Sequence, residues 1–229
     1  MSKFRNDPDD MDAEKRRIKT GLFVAFYFVA LIWLVKLFEI GTGYTLLYQF
    51  GILPREIKGL PGIITAPFVH SGFIHLFNNT PPLFISIAGI VYFFPKAALR
   101  VLVLIYLSTN ILVWFFARDS YHIGASGLVY GYISFLFFGA AFAKNKNMLV
   151  LALIITFIYG AMFWGILPQD GNISWESHLF GASSGFVFAL LFRNYAIESD
   201  IPEEDDSDDD DSYMQDYTEQ PPPNEQVNQ

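Results

Sequence analysis

The chain contains a serine and a histidine that could act together as a nucleophile and its base. Ser126 begins one apolar segment and His178 lies near the start of another. A serine hydroxyl attacks a carbonyl carbon when an imidazole nitrogen about 3 Å away accepts its proton. Polar residues at membrane depth cost free energy and are functional candidates by default. We therefore predict that Ser126 is a nucleophile and that His178 is its base.

Glycines after both residues indicate that the two segments pack closely. Gly127 and Gly131 follow the serine, and Gly181 and Gly185 follow the histidine, each pair four residues apart. Small residues at this spacing let two helix backbones approach each other. The pattern therefore predicts that the hydroxyl and the imidazole lie at the same depth on adjoining helices.

Other side chains could support hydrolysis of an amide. His75 and Asn79 are four residues apart on one segment and point the same way. Together with the backbone N–H of Ser126, they are candidate donors to the oxyanion that develops on the attacked carbonyl. Tyr130 lies one turn after the serine, where its ring could stack on the imidazole.

Four further polar residues lie near these segments. We interpret His70 and His122 as interface or loop-supporting residues. We expect Glu176 and Asp170 to face water.

The composition is that of a membrane protein. Of the 229 residues, 52% are hydrophobic and 17% are charged, whereas soluble domains carry about 25% charged residues. Apolar segments long enough to cross a bilayer occur at residues 21–38, 67–94, 98–117, 126–143, 148–167 and 175–192. We predict an all-α membrane protein, a six-transmembrane-helix bundle with a long, partly buried loop at residues 41–66.

Basic residues predict the orientation of this bundle. With the N-terminus in the cytoplasm, the inner segments carry 11 Lys and Arg residues and the outer loops carry three. Cytoplasmic loops of membrane proteins are enriched in such residues. We therefore expect a multi-pass protein of the cell (inner) membrane with both termini cytoplasmic.

Charge also divides the chain into regions. Thirteen of the 23 acidic residues lie from Glu198 onward, where no Lys or Arg occurs. Such a segment cannot bury enough apolar surface to fold. We predict a cytoplasmic basic N-terminus at 1–20, a transmembrane catalytic domain at 21–195 and a disordered acidic cytoplasmic tail at 196–229. The partner of the tail is unknown, and no basic surface for nucleic acid is visible.

The motifs resemble those of rhomboid intramembrane serine proteases of the basic six-helix type. The resemblance covers about residues 20–195 and rests on three strings in order: His75-Leu-Phe-Asn-Asn79, Gly124-Ala-Ser126-Gly127, and His178-Leu-Phe-Gly181-Ala-Ser-Ser-Gly185. It implies a Ser126–His178 dyad without a third carboxylate, an oxyanion hole at His75 and Asn79, and Tyr130 on the base. His70 matches a second histidine that the family often carries.

The chain departs from the family pattern at three points. Asn78 stands where an apolar residue is usual, and Pro81 and Pro82 follow Asn79 closely. The long loop also lacks the Trp-Arg pair that many members carry.

The resemblance implies a serine endopeptidase without a cofactor or metal, whose substrates are single-pass or polytopic membrane proteins in the lipid bilayer. Two alternatives remain open. One is a metal-dependent membrane hydrolase or transporter built on the four histidines, since imidazole suits zinc. The other is a non-catalytic relative that binds transmembrane clients. The absence of cysteine excludes a thiol nucleophile.

Overall fold

A computed structural model of the chain describes residues 8–44, 47–158, 164–168 and 174–197. Within these ranges every regular element is helical. The α-helices are α1 (Pro8–Thr42), α2 (Gly62–Thr65), α3 (Phe73–Phe93), α4 (Ala98–Phe116), α5 (Ser126–Ala143), α6 (Lys146–Ile158) and α7 (Trp175–Phe192). Short 3-10 helices occupy Leu47–Phe50, Ile57–Gly59, Ala66–Phe68, Trp164–Ile166 and Arg193–Tyr195.

Four of these helices are long and apolar enough to cross a membrane, judged by length and composition. They are Asp10–Thr42 within α1, and the whole of α3, α4 and α5. The apolar helix α6 has 13 residues, and α7 has 18. The all-helical character is therefore as predicted, whereas the count of six spans stays a prediction for the last two segments. The predicted disordered tail at 196–229 starts too early, because Ile197 donates its N–H to Phe93 and accepts a hydrogen bond from Asn145. The rest of the tail, from residue 198, and the predicted water-facing Asp170 lie outside the described residues.

Two predicted segment boundaries differ from the helices. α1 begins at Pro8 and includes the basic stretch that precedes the apolar run, because Glu, Lys and Arg favour a helix and proline suits its first turn. The segment predicted from residue 67 begins as a helix only at Phe73. α3 continues through Pro81 and Pro82.

Helix α5 occupies the centre of the bundle and contacts α3, α4, α6 and α7. Its side chains Leu128, Tyr132, Phe135 and Leu136 are almost completely buried. By contrast, the outer helices present large apolar side chains on the surface, and Phe157 on α6 is 88% exposed. Exposed apolar surface of this extent fits contact with lipid.

The glycines of α5 and α7 bring the two helix backbones into contact. A Cβ atom added at Gly181 would collide with the carbonyl oxygen of Gly127, and one at Gly185 would collide with that of Gly131. The close approach is the one that the four-residue spacing predicts. It places the N-terminal ends of α5 and α7 beside each other.

The long connection after α1 is bound to α4 by a row of side chains. Tyr106, Asn110 and Trp114 are spaced four apart on α4, and each donates a hydrogen bond to a backbone carbonyl of the connection. The acceptors are the carbonyl oxygens of Ile64, Ile63 and Glu56 respectively. Residues four apart share one helix face, so one face of α4 holds the connection in place.

The contact between α5 and α7 can be tested by filling one glycine. We expect Gly181→Ala to lower the unfolding temperature in detergent, because the added methyl meets a backbone carbonyl that has no space to move. Overpacking of this kind costs about 1–3 kcal/mol. Gly41→Ala is the matched control, since a Cβ at Gly41 has no neighbour within 4 Å. Equal unfolding temperatures for the two variants would contradict the proposed packing.

Candidate active site

Ser126 and His178 are in hydrogen-bond contact. Ser126 is the first residue of α5, and His178 lies in the first turn of α7. The Oγ atom of Ser126 is 2.8 Å from Nε2 of His178. This separation is within the range for proton transfer from a hydroxyl to an imidazole.

The other nitrogen of His178 is held by the backbone of Gly165. Nδ1 lies 2.9 Å from the Gly165 carbonyl oxygen. A carbonyl oxygen only accepts hydrogen bonds, so Nδ1 must carry the proton. In the neutral ring, Nε2 then keeps its lone pair and faces the serine hydroxyl. The role of Gly165 could not be predicted from the sequence, because a backbone carbonyl leaves no signal in residue type.

The ring of Tyr130 stacks on the imidazole. The two ring centroids are 4.2 Å apart and the planes differ by 12°. A Cβ atom at Gly165 would collide with the Tyr130 hydroxyl and lie 3.1 Å from Nδ1 of His178. The absence of a side chain at residue 165 therefore lets its carbonyl approach the histidine while the tyrosine covers the ring.

His75 lies against the turn that precedes the serine. A Cβ atom at Gly124 would be 2.6 Å from Cε1 of the His75 ring. Gly124 also has φ +102°, a conformation that side-chain-bearing residues rarely adopt. Glycine is thus required here for both the backbone turn and the close approach. Nδ1 of His75 is 3.3 Å from the hydroxyl of Ser71.

Asn79 lies one turn after His75 on α3. Its side chain is 7% exposed, and its amide nitrogen has no hydrogen-bond partner among the described residues. A buried amide without a partner costs free energy. The group is therefore available as a donor. The structure brings His75, Ser126 and His178 to one cavity, and Asn79 is not among the residues that line it.

The turn before Ser126 is held by the long connection. Residues Ile52 and His122 exchange two backbone hydrogen bonds of 2.9 and 2.8 Å. The N–H of Gly124 donates to the carbonyl oxygen of Ala66 at 2.9 Å. These bonds fix the backbone immediately before Ser126.

His70 adds a side-chain support to the same turn. Its Nε2 accepts the backbone N–H of Ala125 at 3.4 Å. Burial lowers the pKa of His70 to about 3, so the ring is neutral at physiological pH. The carbonyl of His70 accepts a 3.0 Å hydrogen bond from Lys36, which also pairs with Glu39 at 2.7 Å. His70 therefore supports the loop, as the sequence analysis interprets it.

Glu176 is buried, and the prediction that it faces water is wrong. The residue is only 4% exposed, and its Oε1 lies 3.4 Å from Nε of Arg118. Arg118 follows α4 and covers the start of α7. A guanidinium group from a distant segment compensates the buried carboxylate, which sequence spacing does not reveal.

Ser126 and His178 open onto a cavity of about 860 Å³. It is lined by Tyr48, Ser71, His75, Arg118, Ser120, Tyr121, His122, Ile123, Ser126, Ser174 and His178. The lining combines the serine–histidine pair with polar groups that can admit water. Among the described residues, no three His, Asp or Glu side chains are grouped as a metal ion would require.

Comparison with known proteins gives relatives in two bacterial groups. An uncharacterised Mycobacterium tuberculosis protein, Rv1337, is 34% identical over 198 residues, which cover 80% of each chain. The Mycobacterium leprae protein ML1171 is 29% identical over 80% of this chain and 76% of its own. A Bacillus subtilis protein named "Putative rhomboid protease YdcA" is 28% identical over 63% of this chain and 71% of its own.

The family model for the Rhomboid domain matches residues 58–195. This range is more than half of the chain and contains all three motifs. The resemblance drawn from the motifs is thereby confirmed. The chain is an integral membrane protein that belongs to the rhomboid family.

Proposed function

We propose that the protein is an intramembrane serine endopeptidase that cleaves transmembrane proteins near the extracytoplasmic membrane face. Membership of the rhomboid family supports serine protease chemistry. The observation that carries the proposal is the 2.8 Å contact between Ser126 and His178. With Nδ1 bound to a carbonyl, Nε2 is left as the only ring nitrogen that can accept the serine proton.

Acylation begins when the hydroxyl of Ser126 attacks the scissile carbonyl. Nε2 of His178 takes the serine proton, and the Gly165 carbonyl stabilises the imidazolium that forms. His178 then returns this proton to the leaving amine, which departs and leaves an ester on Ser126. Water from the polar cavity, with His178 again as base, hydrolyses the ester and restores the hydroxyl.

The negative charge on the attacked carbonyl oxygen needs donors. The first N–H groups of a helix have no intrahelical acceptor, which makes the N–H of Ser126 one candidate. His75 and Asn79 are the side-chain candidates, and the unpartnered amide of Asn79 supports this role. Such donors act only as charge develops and therefore lower the barrier.

The substrate must present an unwound peptide to the serine, because a helical amide is shielded by its own hydrogen bonds. Small residues at the cleavage point follow from the family resemblance. We further propose six spans with both termini in the cytoplasm, from the distribution of Lys and Arg. That topology puts Ser126 and His178 near the outer face.

The two alternative functions make different predictions for inhibitors. A metal-dependent hydrolase would lose activity with a chelator, and a non-catalytic relative would show no activity at all. A serine endopeptidase should instead be labelled covalently by a fluorophosphonate and should keep its cleavage activity in the presence of a chelator.

Removal of either member of the pair should abolish cleavage. In proteoliposomes with a tagged single-pass model substrate, we expect Ser126→Ala and His178→Ala to give no product, because each lacks the nucleophile or its base. Fluorophosphonate labelling should disappear in Ser126→Ala. The control is Ser183→Ala, an exposed serine on α7, which should behave as wild type. Normal turnover by either dyad variant would reject the mechanism.

Loss of one oxyanion donor should be less severe. We expect Asn79→Ala to reduce kcat about 100-fold, the usual effect of removing one such donor, with residual activity still measurable. The neighbouring Asn78 is exposed, so Asn78→Ala should change kcat little. Equal kcat values for the two variants would remove Asn79 from the oxyanion hole.

A side chain at residue 165 should misplace the base. We expect Gly165→Ala to lower cleavage about 10- to 100-fold, as 1–3 kcal/mol of overpacking implies. Its methyl would collide with the Tyr130 hydroxyl. Adding Tyr130→Phe removes that hydroxyl, keeps the stacked ring and should restore part of the activity. A Gly165→Ala enzyme with the wild-type rate, or no recovery in the double variant, would contradict this account.

A further inference from the structure

His122 and Ser174 connect the two segments that carry the proposed dyad, and this inference rests on the proposed function. His122 precedes Ser126 by four residues, and Ser174 precedes His178 by four residues. The Nδ1 atom of His122 lies 2.5 Å from Oγ of Ser174. The segment that precedes α5 and the segment that precedes α7 are thus joined by a hydrogen bond of their own, in addition to the one between Ser126 and His178.

The direction of this hydrogen bond can be assigned. Nε2 of His122 lies 3.1 Å from the carbonyl oxygen of Arg118, which only accepts, so Nε2 carries the proton. Nδ1 is then the acceptor of the Ser174 hydroxyl. The same Ser174 oxygen lies 2.5 Å from the hydroxyl of Ser177 and can accept it. The chain of donors runs from Ser177 through Ser174 to His122 and ends at a backbone carbonyl.

The environment keeps His122 in the state that this direction requires. The residue is 2% exposed, and burial lowers its pKa. A neutral ring keeps the lone pair that accepts the Ser174 hydroxyl. The backbone of His122 is also fixed by its pair of hydrogen bonds with Ile52.

Ser174 is unusual for a serine in its position. It is the N-cap residue of α7, yet its side chain makes no capping hydrogen bond to the helix. Serine at an N-cap normally accepts a backbone N–H from the first turn, which stabilises the helix. Here the hydroxyl bonds to His122 on the other segment instead. The hydroxyl of Ser174 thus connects the two segments and does not cap α7.

We propose that His122 and Ser174 are positioning residues that set the separation between Ser126 and His178. The glycine contacts hold α5 and α7 together at residues that follow Ser126 and His178 in the two helices. The hydrogen bond between His122 and Ser174 holds together the two segments that precede Ser126 and His178. The nucleophile and base lie between the two fixed points, so their 2.8 Å contact is constrained from both sides.

The test compares variants of the full-length protein in detergent and in proteoliposomes. We expect Ser174→Ala to lower both kcat and the rate of fluorophosphonate labelling about 10-fold, with KM little changed, since substrate contacts are kept. Ser174→Thr retains the hydroxyl and should stay close to wild type. Ser183→Ala on α7 is the control for removal of a hydroxyl.

A double-variant cycle tests whether the two residues act together. If they act through one hydrogen bond, His122→Ala and the double variant His122→Ala/Ser174→Ala should be slowed equally. If the His122 variants do not fold, the proposal is tested by the labelling rates and kcat values of Ser174→Ala and Ser174→Thr alone. A lower unfolding temperature with wild-type labelling of Ser174→Ala would reduce the residue to a structural role and overturn the proposal. Absence of labelling in the wild type would instead reject the proposed function itself.

Discussion

The site depends on the contact between the backbones of α5 and α7. Only a residue without a side chain lets the carbonyls of Gly127 and Gly131 meet Gly181 and Gly185 as they do. The contact sets how far apart the first residues of the two helices lie, because a helix is rigid over one or two turns. A serine on one helix then meets a histidine on the other without any residue between them. The contact between Ser126 and His178 is thus a consequence of the backbone packing between the two helices.

The connection between α1 and α3 has a similar positioning role, although its helices are only three or four residues long. One face of α4 binds its backbone, and its own backbone and His70 bind the turn before Ser126. Gly51 packs against the backbone carbonyl of His122, and Gly62 packs against the backbone of Gly51. The connection is therefore buried at these points, whereas Ile57 and Ile64 are exposed.

The sequence predicts those parts of the site that depend on local spacing. Ser126, Tyr130 and the glycines lie at helical intervals, and the same intervals relate His178 to Gly181, so contacts along these helices follow from periodicity. The carbonyl of Gly165 and the burial of Glu176 were not predictable, because a carbonyl is common to all residues and Arg118 lies far away in sequence. The span count is also incomplete, since α6 ends at Ile158 before an undescribed segment.

The ammonium group of Lys36 has a consequence for where this protein can be divided. It belongs to α1, which precedes the region matched by the family model, yet it donates to the carbonyl of His70, whose ring holds the N–H of Ala125. A truncated chain that begins at residue 58 would lose this cation and leave the His70 carbonyl, beside the turn before Ser126, without its donor. The packed helix bundle therefore extends beyond the region that the family model matches and includes the first helix.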